Sequence, residues 1–419
     1  MALGALGCAR TEAAQGPPLL RAATGDSGRA LAPHRELITR FSAREPAVDV
    51  RLEAVSGGDY YTRLLTQYAS GGAPDIVQLG DDAVAAFVSR GALLPLDARM
   101  AQDPPLRDSD YVTGVTAPGR WRGQLYLLPK DFTPVGVFCN AAVFRRRGVP
   151  LPREGWTWDD FRRTARALTH DDDGDGQTDT WGVVMPGPVA STLELFAAGA
   201  GGGVVNDDGS YSGALDGPAA LEAVAFVRGV VIEDRSAPLP QELGVWEGGN
   251  RQFEQGKAGM WVTGRWPQPG LVETFGKDLV VVPPPLGPKA PSNILFWAGF
   301  AISAQSRHPD LAWRFLRNHA GPDASTVWRA WALPSSSALV KAEKLESDPL
   351  DGPWLRSLAT CRPRAYTRDR YWARYGEPAA RALMETAILT PERDYVGTAH
   401  ALAAQADAWR RRAVAEEGP

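Results

Sequence analysis

Apolar and polar positions along the first ninety residues follow a recurring order. Leu19 to Thr24 is a short apolar run closed by the turn residues Gly25-Asp26-Ser27-Gly28, which predicts a strand. Pro33 then suits the opening of a helix, whose Leu37, Ile38 and Phe41 share one face before Pro46 stops it. Val48 to Ala54 alternates apolar with polar, the pattern of a half-buried strand. Gly57-Gly58 turns the chain into a second predicted helix with Tyr61, Leu64, Leu65 and Tyr68 on one stripe, ended by Gly71-Gly72. Pro74 to Leu79 reads as a third strand and Ala83 to Val88 as a helix. Strands alternating with helices predict an α/β lobe with a mainly parallel sheet. In such sheets ligands bind beyond the carboxyl ends of the strands, here the loops at Gly25–Ser27 and Gly80–Asp82.

The pattern changes after Leu125. Leu125 to Asn140 is extended and interrupted by Pro129 and Pro134, too long for a hairpin arm but suited to a crossing between two lobes. Further on, the periodicity predicts helices near Trp158 to Leu168 and over Pro218 to Ile232. Strands are expected at Trp181 to Val184, Ala258 to Val262, Val280 to Val282 and Phe300 to Ser303, the last as a second crossing. Ala197 to Gly203 reads as a small-residue loop, with Gly201 to Gly203 able to bring a ligand close to backbone. Pro309 opens a helix burying Leu311, Ala312, Phe315 and Leu316, and the tail from Glu377 is helical.

A chain of 419 residues suits two lobes better than one core. The net charge of −4 provides no basic field for nucleic acid or an anionic membrane. Arg410, Arg411 and Arg412 read as a solvated helix end. No apolar run is long enough to span a bilayer. The three cysteines form no zinc spacing, and Cys139, in an apolar run, reads as a small buried hydrophobe. The five histidines form no metal pair, and neither a nucleophile elbow nor a phosphate-binding loop occurs. Asp171, Asp173, Asp175 and Asp179 have a spacing that lets carboxylates converge on a structural calcium, although Gly182 stands where a helix-loop-helix calcium site has Glu.

Several motifs resemble one family. Gly58-Asp59-Tyr60-Tyr61 with Leu64-Leu65, then Gly71 and Pro74-Asp75-Ile76-Val77, are similar to the amino-terminal lobe of family 1 bacterial solute-binding proteins, the carbohydrate receptors related to maltose-binding protein. Trp156-Thr157-Trp158-Asp159-Asp160-Phe161, the Asp/Gly loop Asp171 to Gly176 and Phe253 to Met260 with Gly264-Arg265-Trp266 continue the resemblance in order. So do Gly299 to Ser303 and Pro309 to Leu316. Ala5-Leu6-Gly7-Cys8 resembles the end of a bacterial lipoprotein signal, which implies that Cys8 carries a lipid and that residues 1–17 are signal remnant and tether.

The resemblance implies a bilobal periplasmic-binding-protein fold of type II, with lobe 1 from 18–132 plus 301–340 and lobe 2 from 133–300 plus 341–419. It implies a non-enzymatic, monomeric, extracytoplasmic receptor. That receptor closes on a sugar, oligosaccharide or polyol and presents it to the transmembrane permease subunits of an ABC importer. It needs no cofactor and touches the membrane only through a lipid anchor. A glycoside hydrolase and a ligand sensor are the alternatives. A sugar has apolar C–H faces and a hydroxyl rim, so aromatic rings, carboxylates and arginines are the residues to expect around it. Asp81 and Asp82 stand where the family has a ligand-contacting acid, although Asp also suits a helix start. Asp131 and Thr133 lie at the first crossing, and Trp297 and Gly299 at the second. Gly264 and Trp266 match the family's stacking aromatic, and Arg364 and Tyr366 are candidates from a third crossing.

Overall fold

The structure, a computed structural model, describes residues 17–55, 59–102, 104–187, 189–243, 248–291 and 293–418. The chain forms two α/β lobes. The first sheet contains β1 (Leu19–Thr24), β2 (Asp49–Ala54) and β3 (Ile76–Gly80), with β1 parallel to both neighbours. Between them lie α1 (Leu31–Arg44), α2 (Asp59–Ala69) and, after β3, α3 (Asp81–Val88). A small hairpin, β4 (Arg120–Trp121) and β5 (Gln124–Leu125), leads into β6 (Leu127–Pro134). The second sheet has the order β10-β7-β9-β8, built from β7 (Gly136–Asn140), β8 (Trp181–Val184), β9 (Ala258–Thr263) and β10 (Leu279–Val282). The chain then returns to the first sheet as β11 (Asn293–Ile302), which pairs antiparallel with both β3 and β6, and the short β12 (Cys361–Arg362) pairs parallel with its start.

Three passages therefore run between the sheets: β6 to β7 through Val135, β10 to β11, and the segment after β12. The first two are fastened together. The buried Asn293 side chain accepts from the Val135 amide at 2.8 Å and donates to the Val135 carbonyl at 2.8 Å, satisfying backbone groups where the strand ladder breaks. Gly136, next in line, lies so close to the Trp354 ring that a side chain there would collide with it.

Local chemistry explains the helix borders. Thr157 and Asp160 form a reciprocal capping box at the start of the helix Trp158–Leu168. Asn140 caps the helix Ala141–Arg147, which stops at Gly148 with φ 66°, a left-handed conformation that glycine adopts without strain. Four expectations change. The first helix starts at Leu31, two residues before Pro33, because a 3-10 turn at Gly28–Ala30 feeds it. On α2 the buried positions are Tyr60 and Leu64, while Leu65 is exposed. The expected loop at Ala197 begins as helix Ala190–Gly199, nearly all of it buried; a helix apolar on every side shows no amphipathic period. Arg410 is not wholly solvated: it bonds Asp369 at 3.1 Å and the Asp208 carbonyl. Cys139 is fully buried, in the core of the second lobe. The Gly57-Gly58 turn and Cys8 lie outside the described residues.

Candidate functional site

β6 and β11 form a floor between the lobes. Their register places Phe296 opposite Thr133 and Ala298 opposite Asp131, so these four share one face. The Thr133 hydroxyl accepts from the Arg265 amide at 2.9 Å, which ties the loop after β9 to this floor. That loop carries Trp266, 52% exposed and edge-on to Phe296 at 5.6 Å between ring centroids. Gly264 sits directly beneath the Trp266 ring, where any side chain would collide with it. The Arg364 guanidinium lies 5.0 Å from the Phe296 ring centroid and 4.9 Å from that of Tyr366. Loop, strand and third passage thus bring Trp266, Phe296, Arg364 and Tyr366 into one row.

Carboxylates converge on this row. Arg364 binds Glu194 through Nε at 3.0 Å and Nη2 at 3.1 Å, and Glu194 also accepts from the Ala365 amide at 2.9 Å. The first turn of α3 packs against Ala365–Thr367, which brings Asp81 and Asp82 to Arg364 and Tyr366. Helix Glu377–Leu389 packs on helix Ala190–Gly199 and brings in Glu377. Burial lifts the Asp81 carboxyl to about 7 against the pull of Arg364, with Asp82 and Glu194 adding to the lift. Burial also raises Asp82 and Glu377. Asp81 is the first helical residue, after the N-cap Gly80, which has no side chain with which to cap the helix. The Tyr366 hydroxyl is buried beside the Asp81 carboxyl, close enough to hydrogen-bond it and so to oppose part of that lift.

A second polar network closes the other end of the floor. Lys130 on β6 bonds Asp26 at 2.6 Å and approaches Asp131 at 3.2 Å, while His34 meets Asp26 at 2.9 Å. Gln78 donates to Asp26 at 3.3 Å and accepts from Thr24 at 2.5 Å. Burial would raise the Asp26 carboxyl, but His34 and Lys130 together hold it far below its usual range. Burial keeps His34 on the neutral side, against the pull of Asp26. The loop after β1 thus supplies a carboxylate at the carboxyl end of the sheet.

The sequence candidates separate into groups. Asp81, Asp82, Arg364 and Tyr366 meet; Asp131, Thr133, Gly264 and Trp266 border the same floor. Trp297 and Gly299 lie on the opposite face: Trp297 is 4% exposed, donates from Nε1 to the Val115 carbonyl at 2.7 Å, and covers Gly299 and Gly119. A period of two along β11 makes Phe296, not Trp297, the ring that faces Trp266. Phe296, Glu194, Glu377 and Lys130 were not singled out from sequence. Strand alternation was the available signal for Phe296; the others sit on elements joined only in three dimensions.

Gly201, Gly202 and Gly203 line a cavity of about 500 Å³ that also reaches Glu194 and Ala365. In the Asp loop, ligand atoms of Asp171, Asp173 and Asp179 lie within 4.8 Å of one another. Asp171 already accepts from the Gly174 and Gly176 amides, and Asp175 instead accepts from Gln177. Three hard oxygen donors fit part of a calcium shell.

A computed fold similarity links the chain to an ABC substrate-binding protein of Listeria monocytogenes in complex with cycloalternan, with TM-score 0.80 and 21% identity over 93% of this chain and 98% of that one. The GacH receptor of Streptomyces glaucescens, solved unliganded and with acarbose, matches at TM-score 0.79 and 20% identity over 94% and 98%. UgpB of Mycobacterium tuberculosis in complex with glycerophosphocholine matches at 0.79 and 21% over 95% and 99%. The type II periplasmic-binding-protein fold is common to these neighbours and this chain. An uncharacterized lipoprotein from the oleD 5' region of Streptomyces antibioticus is 32% identical over 209 residues, which cover 46% of this chain and 42% of that relative. No described helix is long and apolar enough to cross a membrane. With residues 25–325 matching that family directly, the chain belongs to the bacterial extracellular solute-binding proteins.

Proposed function

We propose that this protein is the receptor of an ABC importer for a carbohydrate or polyol, which it captures between its lobes and releases unchanged to the permease. The carrying observation is the row of Trp266 and Phe296, bordered by Asp81, Asp82, Asp131 and Arg364 where all three passages meet. Flat rings cover C–H faces, and carboxylates accept from a hydroxyl rim. The passages suit a hinge closure in which contacts from both lobes favour the closed state. The structural neighbours solved with cycloalternan, acarbose or D-mannitol support a sugar or polyol. The neighbour bound to glycerophosphocholine keeps a glycerophosphodiester in the test panel. The comparisons lend no support to a glycoside hydrolase.

In this reading the two bodies that close are the lobes built on the first and second sheets, with β11 (Asn293–Ile302) and β12 (Cys361–Arg362) belonging to the first. The protein acts as a monomer outside the cytoplasm, tethered by a lipid on Cys8, as the similarity to a lipoprotein supports. A thermal-shift screen against sugars, polyols and glycerophosphodiesters tests the function. A ligand at a hundredfold its dissociation constant adds about 2.7 kcal/mol to stability. A flat response across the whole panel would remove the carbohydrate assignment.

A further inference from the structure

We infer that Asp351 is a positioning residue for the solute site: it straps the Trp266 loop of the second lobe to the first lobe through Arg329, and so sets the angle between the lobes before any solute arrives. The inference goes beyond the carbohydrate reading and does not depend on which solute is bound.

The Trp266 loop is anchored first within its own lobe. Asp351 immediately precedes helix Gly352–Ser357, and its side chain is 3% exposed. Its Oδ1 accepts from Arg265 Nε at 2.7 Å and from Gln268 Nε2 at 2.8 Å, so it holds the loop on both sides of Trp266. Gln268 in turn accepts from Trp354 Nε1 at 2.7 Å, and the Trp354 ring lies against Gly136 and 5.3 Å from the Phe138 ring on β7. Asp351 is thereby fixed to the second sheet.

Its other oxygen reaches across. Asp351 Oδ2 lies 2.8 Å from Arg329 Nη2. Arg329 directly follows helix Ser325–Trp328, which packs on α1, and the Trp328 ring sits beside His34 and Phe300 in the core of the first lobe. One carboxylate thus joins a guanidinium from each lobe. Burial would raise the Asp351 carboxyl, but Arg265 and Arg329 hold it below its ordinary value, which keeps it ionised between them. Thr133, on β6, accepts from the Arg265 amide at 2.9 Å, so the same loop meets the first sheet at a second point. Two contacts on one short loop fix its orientation as well as its distance. A ring held in place beforehand costs less to order when the solute arrives.

The two arms differ in burial. The Arg265 side chain is 5% exposed and that of Arg329 26%. Removing Asp351 or Arg265 strands a buried charge and endangers folding itself. Removing Arg329 leaves Asp351 its bonds to Arg265 and Gln268 and opens only the link to the first lobe.

Hydrogen exchange read by mass spectrometry on the ligand-free full chain tests this with Arg329→Met and Arg329→Lys. The Arg265 amide is the reporter, because its partner Thr133 belongs to the first sheet. In Arg329→Met, exchange in the peptide covering 263–268 should quicken about fivefold or more, as expected for loss of a partly exposed bond between charged groups. Peptides of β1, β3 and β9 should exchange at the wild-type rate. Arg329→Lys, which keeps the charge, should return the loop to within about twofold of wild type. Small-angle X-ray scattering of the same samples should give a larger radius of gyration for Arg329→Met than for wild type or Arg329→Lys. Unchanged exchange in the loop, a uniform quickening across the first lobe, no rescue by lysine, or an unchanged radius of gyration would overturn the inference and leave Arg329–Asp351 an ordinary structural ion pair. None of these outcomes touches the carbohydrate reading, which the solute panel tests separately.

Discussion

Asp81 gives the account its sharpest energetic consequence. Its carboxyl is 9% exposed and lifted from the ordinary 3.8 to about 7. An acid with a raised folded-state value contributes stability that is fully present below its unfolded value and lost as pH rises through the folded one. The whole shift is worth about 4 kcal/mol, and the part lost between about pH 5 and about pH 7 is roughly 2 kcal/mol. Asp81→Asn keeps the shape and removes the proton. Asp82 and Glu377 tilt the wild-type profile in the same direction, whereas His34 and His319, held neutral by burial, tilt it the other way. The difference between variant and wild type isolates Asp81. Urea unfolding at a series of pH values should therefore show the variant gaining about 2 kcal/mol on the wild type between about pH 5 and about pH 7. A difference that stays flat, or that moves the other way, would mean that the Asp81 carboxyl is not withdrawn from solvent as the structure shows it.

Other consequences are accessible to standard assays. Trp266→Ala should abolish the ligand-induced thermal shift while costing the apo protein less than about 1.5 kcal/mol, because half of the ring is already in solvent; intact binding would remove Trp266 from the cleft. Asn293→Ala leaves the Val135 amide and carbonyl without their partner and should cost about 2–4 kcal/mol in denaturant unfolding. A loss below about 0.5 kcal/mol would mean that water takes over the clasp. If the Asp loop holds calcium, adding EGTA should lower the melting temperature of wild type and leave Asp171→Ala unchanged. An identical response of the two proteins, or none, would assign the loop to a polar turn.

What could be read from the sequence follows from the range of the signal. β1, β2, β3 and the helix Trp158–Leu168 announce themselves through local periodicity, capping residues and breakers, and all form near their expected limits. Helix Ala190–Gly199 did not, because burial on all sides removes the period that marks a helix. The site divides in the same way. Asp81 and Asp82 follow from a general rule about strand ends, and Trp266 from a family motif beside a glycine that its ring requires. The choice between Phe296 and Trp297 needed the register of β11 against β6, which fixes the face of every side chain at once. Glu194 lies 170 residues before Arg364 and meets it and Glu377 only because two helices and a third passage pack together, so no window of sequence could group them.

The central claim is that two lobes enclose a small hydroxylated solute at the meeting of three passages and leave its bonds untouched. Native mass spectrometry of the purified protein, incubated with the sugar and polyol panel, addresses it in one measurement. The account predicts a one-to-one complex whose ligand, once released, has the mass at which it was added. An absence of any complex across the panel, or release of products with altered mass, would contradict it.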